Sequence, residues 1–203
     1  MDQRDFLLQI VWKNSKPHLC KTYEGHARDM DKKIVIISVT SRNNLVLAEK
    51  IAELFNLENE IITLEDYNLP LYDRKVILRD SSEINGLCNK IISADGFVFC
   101  GPEYNGGSAP ILTNAITWIS VSTNHWRDAF SDKKALVATH SGGGGNSFLF
   151  TFKQQLEFMG VTVYPKSIKV NKREDFDANL SKNIIQKFEK LFRKKLLPTQ
   201  FML

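Results

Sequence analysis

Five short apolar runs, each followed by residues with apolar side chains at helical spacing, limit this chain to very few folds. Ile34-Val35-Ile36-Ile37 is continuously apolar rather than alternating, as a strand buried on both faces reads. Residues 44–55 then carry Leu45, Leu47, Ala48, Ile51, Ala52 and Phe55 at helical spacing. Residues 60–64 predict a second strand, and residues 82–94 a second helix beyond a polar loop with Pro70. Phe97-Val98-Phe99-Cys100 leads to a helix over 111–119, and a strand over 134–139 to a helix over 147–159. Val161-Thr162-Val163-Tyr164 is the fifth strand, and an amphipathic helix over 177–195 closes the chain. Alternation of this kind implies an α/β three-layer sandwich, a parallel sheet with helices on both faces. Short connections fit the doubly wound strand order 2-1-3-4-5, which reverses between the first and third strands.

The 203 residues suffice for one domain, here 33–203, with an extension over 1–32. Residues 1–32 read as an appended helix or arm whose Leu7, Leu8, Ile10, Val11 and Trp12 require cover from the domain or a second subunit. A hydrophobic share of 43% and a charged share of 25% are those of a soluble globular protein. The net charge of +4 is mild, and Lys187, Lys190, Arg193, Lys194 and Lys195 place much of it in the last helix, where cations complement the helix dipole. No nucleic-acid partner is expected. Three cysteines with no C-x-x-C spacing suit a reducing, cytoplasmic setting. Residues 6–12 are interrupted by Gln9 and preceded by Asp2 and Asp5, unlike a secretion signal. No stretch reaches the ~20 apolar residues that span a bilayer.

In a parallel sheet all strand carboxyl ends share one edge, so the loops after strands one, three and four meet there. The first, Ser38-Val39-Thr40-Ser41-Arg42-Asn43-Asn44, is dense in hydroxyls and amides and opens a helix. A helix start offers unpaired N–H groups to a phosphate, and Arg42 adds a charge-assisted contact. Helix capping alone explains one such residue, but not three hydroxyls and an arginine. The second, Pro102-Glu103-Tyr104-Asn105-Gly106-Gly107-Ser108, combines glycines that admit close approach with a tyrosine able to stack on a ring. The third, Thr139-His140-Ser141-Gly142-Gly143-Gly144-Gly145-Asn146, exposes backbone N–H groups with no side chains in the way. Together the loops suit a planar, phosphorylated ligand.

Other chemistries lack their residues. Thr139-His140-Ser141-Gly142-Gly143 has no leading glycine of a nucleophile elbow. Ser147 and Phe148 stand where a dinucleotide fingerprint needs its third glycine, and no Walker lysine follows. His18, His26, His125 and His140 have no metal-ligand spacing. Cys100 adjoins the second loop, where a small buried strand residue is the commoner role. Trp118, Trp126 and Phe130 near that loop are either core or a subunit contact.

Residues 102–118 resemble the P-E-Y-N-x-x-x-P-x-x-x-K-N-A-x-D-W signature of the NADPH-dependent FMN reductase family, the flavodoxin-like group of quinone, azo-dye and chromate reductases. The glycine loop, Asn146 and the helix ending near Glu157-Phe158-Met159-Gly160 are similar too, and the resemblance spans roughly 33–195. It implies a flavodoxin-like fold, FMN as cofactor, NADPH or NADH as reductant, a small-molecule electron acceptor and a homodimer or homotetramer. It implies Ser38, Thr40, Ser41, Arg42 and Asn43 at the phosphate, and Pro102, Glu103, Tyr104, Asn105 and Gly106 along the isoalloxazine. Ser141, Gly142, Gly143 and Gly144 fall at the pyrimidine edge. Backbone amides of Asn105 and Gly106 are assigned to flavin N5 and O4, and those of Gly142 to Gly144 to N1 and O2; no catalytic side chain is required. The chain departs from the family at three points. Its first loop is about two residues shorter and lacks an opening glycine, which leaves open which hydroxyl meets the phosphate. Thr113 and Thr117 replace the usual Lys and Asp, positions expected to affect subunit contacts.

Overall fold

Residues 34–37 are apolar at every position because both faces of their strand are covered. The computed structural model describes residues 32–76, 81–123 and 125–192. In chain order the elements are β1 (Lys33–Ser38), α1 (Asn43–Ala52), β2 (Glu58–Thr63), α2 (Ser82–Ser93), β3 (Gly96–Cys100), β4 (Glu103–Tyr104), β5 (Gly107–Ser108), α3 (Pro110–Ser122), β6 (Lys134–Ser141), α4 (Asn146–Phe158), β7 (Thr162–Val163), β8 (Ile168–Asn171) and α5 (Ala178–Glu189). Short 3-10 turns span Leu64–Asp66 and Lys190–Phe192.

The main sheet is parallel in the order β2-β1-β3-β6-β7, the doubly wound arrangement expected. Side-chain alternation divides its core. Val35, Ile37, Phe97, Phe99, Ala135 and Val137 face α2, α3 and α4, through residues such as Leu87, Leu112 and Phe152. Ile34, Ile36, Val98, Cys100, Leu136 and Ala138 face α1 and α5, through Leu47, Ile51, Ile185 and Phe188. Phe97, Phe148, Phe152 and Phe188 are fully buried, each worth about 1.5–3 kcal/mol relative to exposure.

Two expectations are corrected. The fifth strand position is filled by two segments in series, β7 against Lys134 and Ala135 and β8 against Ala138 to Ser141. Pro165 lies between them and has no N–H to continue a ladder. The last helix gives way to a 3-10 turn at Lys190 rather than running to 195, and residues 193–195 lie outside the described residues. The extension over 1–32 lies outside them too, save Lys32, whose Nζ donates to Asp95 at 2.8 Å.

Polar groups tie elements distant in sequence. Lys133 Nζ donates to the carbonyls of Ile91, Ile92 and Ala94 at 2.7, 2.6 and 2.7 Å, closing the carboxyl end of α2. Burial pulls this ammonium down to about 8, against a smaller upward pull from Asp95. Buried Glu189 on α5 accepts the N–H groups of Asn56 and Leu57 and the Asn56 amide, holding the approach to β2.

Register aligns the carboxyl ends that carry the loops. Ser38 stands beside Thr63 and Cys100, and Cys100 beside Ala138. The ladder continues past the strands, with Val39 N–H donating to Cys100 O at 2.9 Å and Gly101 N–H to Ala138 O at 3.1 Å. Three loops therefore leave the sheet side by side.

Candidate functional site

The first loop turns sharply out of β1. Ser38 is buried, and its hydroxyl donates to Thr40 O at 2.7 Å, closing the turn. Arg42 precedes α1 with no side-chain cap, and the amides of Thr40, Arg42 and Asn43 have no protein acceptor among the described residues. Ser41 is different. Its N–H and its hydroxyl both donate to Glu65 Oε2, at 2.7 and 2.5 Å, from the turn that follows β2. The Ser41 hydroxyl and amide hold the Glu65 carboxyl below the usual carboxylate range, with Arg42 adding to the effect and burial opposing it.

The second loop is a two-stranded hairpin, β4 paired antiparallel with β5. Asn105 and Gly106 form its tip, at φ 50° and 74°. Positive φ at both central residues is what a tight Asn-Gly hairpin requires, since its twist then matches that of the strands. The amides of Asn105 and Gly106 are without protein acceptors among the described residues. Tyr104 is half exposed, at 51%.

Hydroxyls join this hairpin to the third loop. Ser141 Oγ lies 2.7 Å from Thr139 Oγ1 and accepts the Glu103 N–H at 2.8 Å. The Glu103 carboxylate accepts the N–H of Phe148 at 3.1 Å, so it caps the first turn of α4. Of the four glycines, only Gly145 has a positive φ, 71°, and a Cβ there would lie 2.7 Å from Thr139 Cγ2. A Cβ on Gly142 or Gly143 would meet nothing within 4 Å. The fold itself requires the fourth glycine; the first two border open space.

Thr40, Arg42, Asn43, Asn44, Glu65, Pro102, Glu103, Tyr104, His140, Ser141 and Gly142 line one cavity of about 430 Å³. That volume lies within the range of ligand pockets, roughly 300–1,000 Å³. The lining is mostly polar, and the acceptor-free amides of Thr40, Arg42, Asn43 and Gly142 belong to its residues. A flat ligand with hydrogen-bonding edges and an anionic tail fits these groups. The first-loop amides and Arg42 suit the anion, and the hairpin tip and the glycine loop suit the ring edges.

Residues 32–175 match the model of the NADPH-dependent FMN reductase family. The chain belongs to that family. An NADPH azoreductase of Bacillus sp. (strain OY1-2) is 29% identical over 155 residues, 74% of this chain and 83% of that protein. A probable NADPH:quinone oxidoreductase of Oryza sativa subsp. japonica is 32% identical over 94 residues, 43% of this chain and 45% of that protein. A flavoenzyme NAD(P)H:(acceptor) oxidoreductase from Paracoccus denitrificans superposes with a TM-score of 0.67 at 20% identity, over 79% of this chain and 97% of that one. The fold is flavodoxin-like, and this FMN reductase is an FMN-dependent NAD(P)H oxidoreductase.

Thr40, Arg42, Asn43, Pro102, Glu103, Tyr104, Ser141 and Gly142, among the residues expected at the site, line this reductase's cavity. Ser38, Ser41, Asn105, Gly106, Gly143 and Gly144 belong to the same three loops but do not line it: Ser38 braces the turn and Ser41 is held by Glu65. Sequence reasoning gave no site role to Asn44, Glu65 or His140. Asn44 is buried, and its side chain pairs with both backbone groups of His140. Glu65 follows β2 on the same sheet edge, the one signal that pointed to it. Cys100 is fully buried, and burial pushes its thiol far up, so it stays protonated and unreactive. Trp118 and Phe130 are core; Trp118 Nε1 donates to Pro70 O at 2.7 Å. Trp126 is half-buried, with the Arg127 guanidinium 4.2 Å above its ring. Among the described residues, no cluster of His, Cys, Asp or Glu could hold a metal.

Proposed function

We propose that the cavity holds one FMN across the three loops and that NAD(P)H and a small electron-poor aromatic acceptor, such as a quinone or azo compound, use its open face in turn. One observation carries this reading: parts of all three loops line a single cavity, and the amides of Thr40, Arg42, Asn43, Asn105, Gly106, Gly142, Gly143 and Gly144 in those loops have no protein acceptor among the described residues. Bound FMN supplies two-electron chemistry, taking hydride from a nicotinamide and passing reducing equivalents on. The chain supplies orientation. The amides of Thr40, Arg42 and Asn43 and the Arg42 guanidinium serve the phosphate. Pro102, Glu103 and Tyr104 form a wall along the ring, which the hairpin presents with Asn105 and Gly106 at its tip. The amides of Gly142, Gly143 and Gly144 oppose the negative charge that develops at the pyrimidine edge, as oxyanion-hole donors do.

The names of the azoreductase and quinone oxidoreductase relatives support the acceptor class. Among the described residues no helix is long and apolar enough to cross a membrane. The buried thiol of Cys100 supports a reducing, cytoplasmic setting. Exposed Phe150 and Phe158 on α4 support a homodimer or homotetramer.

The test is anaerobic reduction of the FMN-loaded protein. NADPH should bleach the flavin colour, and a quinone added afterwards should restore it with one quinone consumed per flavin. A yellow protein that NAD(P)H does not bleach would instead be an electron carrier or sensor. A colourless protein that cannot be loaded would be a relative that has lost flavin.

A further inference from the structure

We propose that Glu65 is a resident competitor for the flavin phosphate and thereby sets how strongly this chain prefers phosphorylated over unphosphorylated flavin. The inference rests on the reading that the first loop receives the phosphate. Ser41 contributes two donors to that loop, an amide and a hydroxyl, and both point at one oxygen of Glu65. Donors of this kind, converging on one anionic oxygen, also suit a phosphate oxygen. Glu65 comes from a different segment, 24 positions along the chain. Buried Leu64 anchors that segment, and the Tyr67 N–H donates to Leu64 O at 3.2 Å. The exposed Glu65 side chain is therefore presented to Ser41 from an anchored turn.

Glu65 lines the same cavity as Thr40, Arg42 and Asn43. A phosphate entering among them has two courses. It displaces Glu65, which loses both hydrogen bonds, or it binds beside Glu65 and meets a like charge. Both courses weaken FMN and leave riboflavin, whose side chain ends in a hydroxyl, nearly untouched. The lowered acidity range of Glu65 fits this role, because the competitor stays ionised throughout the neutral range. Arg42, in the same lining, is shared between the resident carboxylate and the incoming phosphate.

The experiment is a pair of fluorescence-quenching titrations, FMN and riboflavin, on the wild type, Glu65→Gln and Glu65→Ala, with thermal melts as the check on folding. Glu65→Gln keeps the shape and removes the charge; Glu65→Ala frees the Ser41 donors. The ratio of riboflavin Kd to FMN Kd should rise about tenfold in each variant, about 1.4 kcal/mol, while riboflavin Kd stays within about twofold. Binding of both flavins with the ratio unchanged in both variants would overturn the inference and leave the flavin site standing. If neither flavin binds any of the three proteins, the reading of the cavity falls and this inference falls with it.

Discussion

Asn44 pairs edge-on with the backbone of His140: its Oδ1 accepts the His140 N–H at 2.9 Å and its Nδ2 donates to the His140 carbonyl at 3.1 Å. One side chain thus does what a neighbouring strand would do, and it locks the start of α1 to the end of β6. The first and third loops are held at a fixed separation by this contact. Asn44→Ala leaves two backbone groups without partners, at a cost of about 1–3 kcal/mol. For a chain of this size that lowers Tm by roughly 2–4 °C per kcal/mol, and a denaturant titration should show the midpoint falling with little change in slope.

The glycines of the third loop should separate into two classes. Gly145 is left-handed and pressed against Thr139, so Gly145→Ala destabilises the protein by about 1–3 kcal/mol. Gly143 faces open space, so Gly143→Ala leaves Tm unchanged. On the proposed placement of the glycine loop at the pyrimidine edge, its added methyl crowds the flavin instead, and FMN affinity should fall severalfold. Equal melting temperatures for the two variants would contradict this division.

Glu103 has a structural task within the site. Its carboxylate accepts the Phe148 N–H in the first turn of α4, where negative charge also suits the helix dipole. Glu103→Ala should cost about 1 kcal/mol, while Glu103→Gln, which keeps an acceptor, should cost about half of that or less. Chemical denaturation of the two variants side by side checks the order.

Lys133 makes stability depend on alkaline pH with a definite sign. Burial lowers its folded-state pKa to about 8 from 10.5, so between those values the unfolded chain binds more protons. The Lys133 contribution to stability must then rise with pH across that window, by at most ~1.4 kcal/mol per pH unit. Urea unfolding of the wild type and Lys133→Met from pH 8 to pH 10 isolates the contribution. The difference, wild type minus variant, should grow with pH; a flat or falling difference means the ammonium is not penalised by its burial.

The architecture was legible because burial on two faces writes itself as unbroken apolar runs, and Ile34 to Ile37 or Phe97 to Cys100 admit few other readings. The edge of the sheet was less so. Thr162 and Val163 form so short a strand that Pro165 ends it before any periodicity can register, and Ile168 to Asn171 take over the pairing. The hairpin at Asn105 and Gly106 carries the strongest short-range turn signal, yet two residues on either side are too few to show alternation. Long-range contacts were the least legible. Nothing in local sequence says that Asn44 will meet His140, 96 positions away, or that Ser41 will meet Glu65. Nor does a run of four glycines reveal that the backbone needs only the last to be left-handed.

Amide hydrogen exchange with and without FMN tests the convergence of the three loops most directly, because amides with no acceptor exchange fast until a ligand covers them. The amides of residues 40, 42, 43, 105, 106 and 142–144 should slow together on FMN binding, with one FMN per chain. Saturable FMN binding that protects a different surface, or only one of the three segments, would contradict the account.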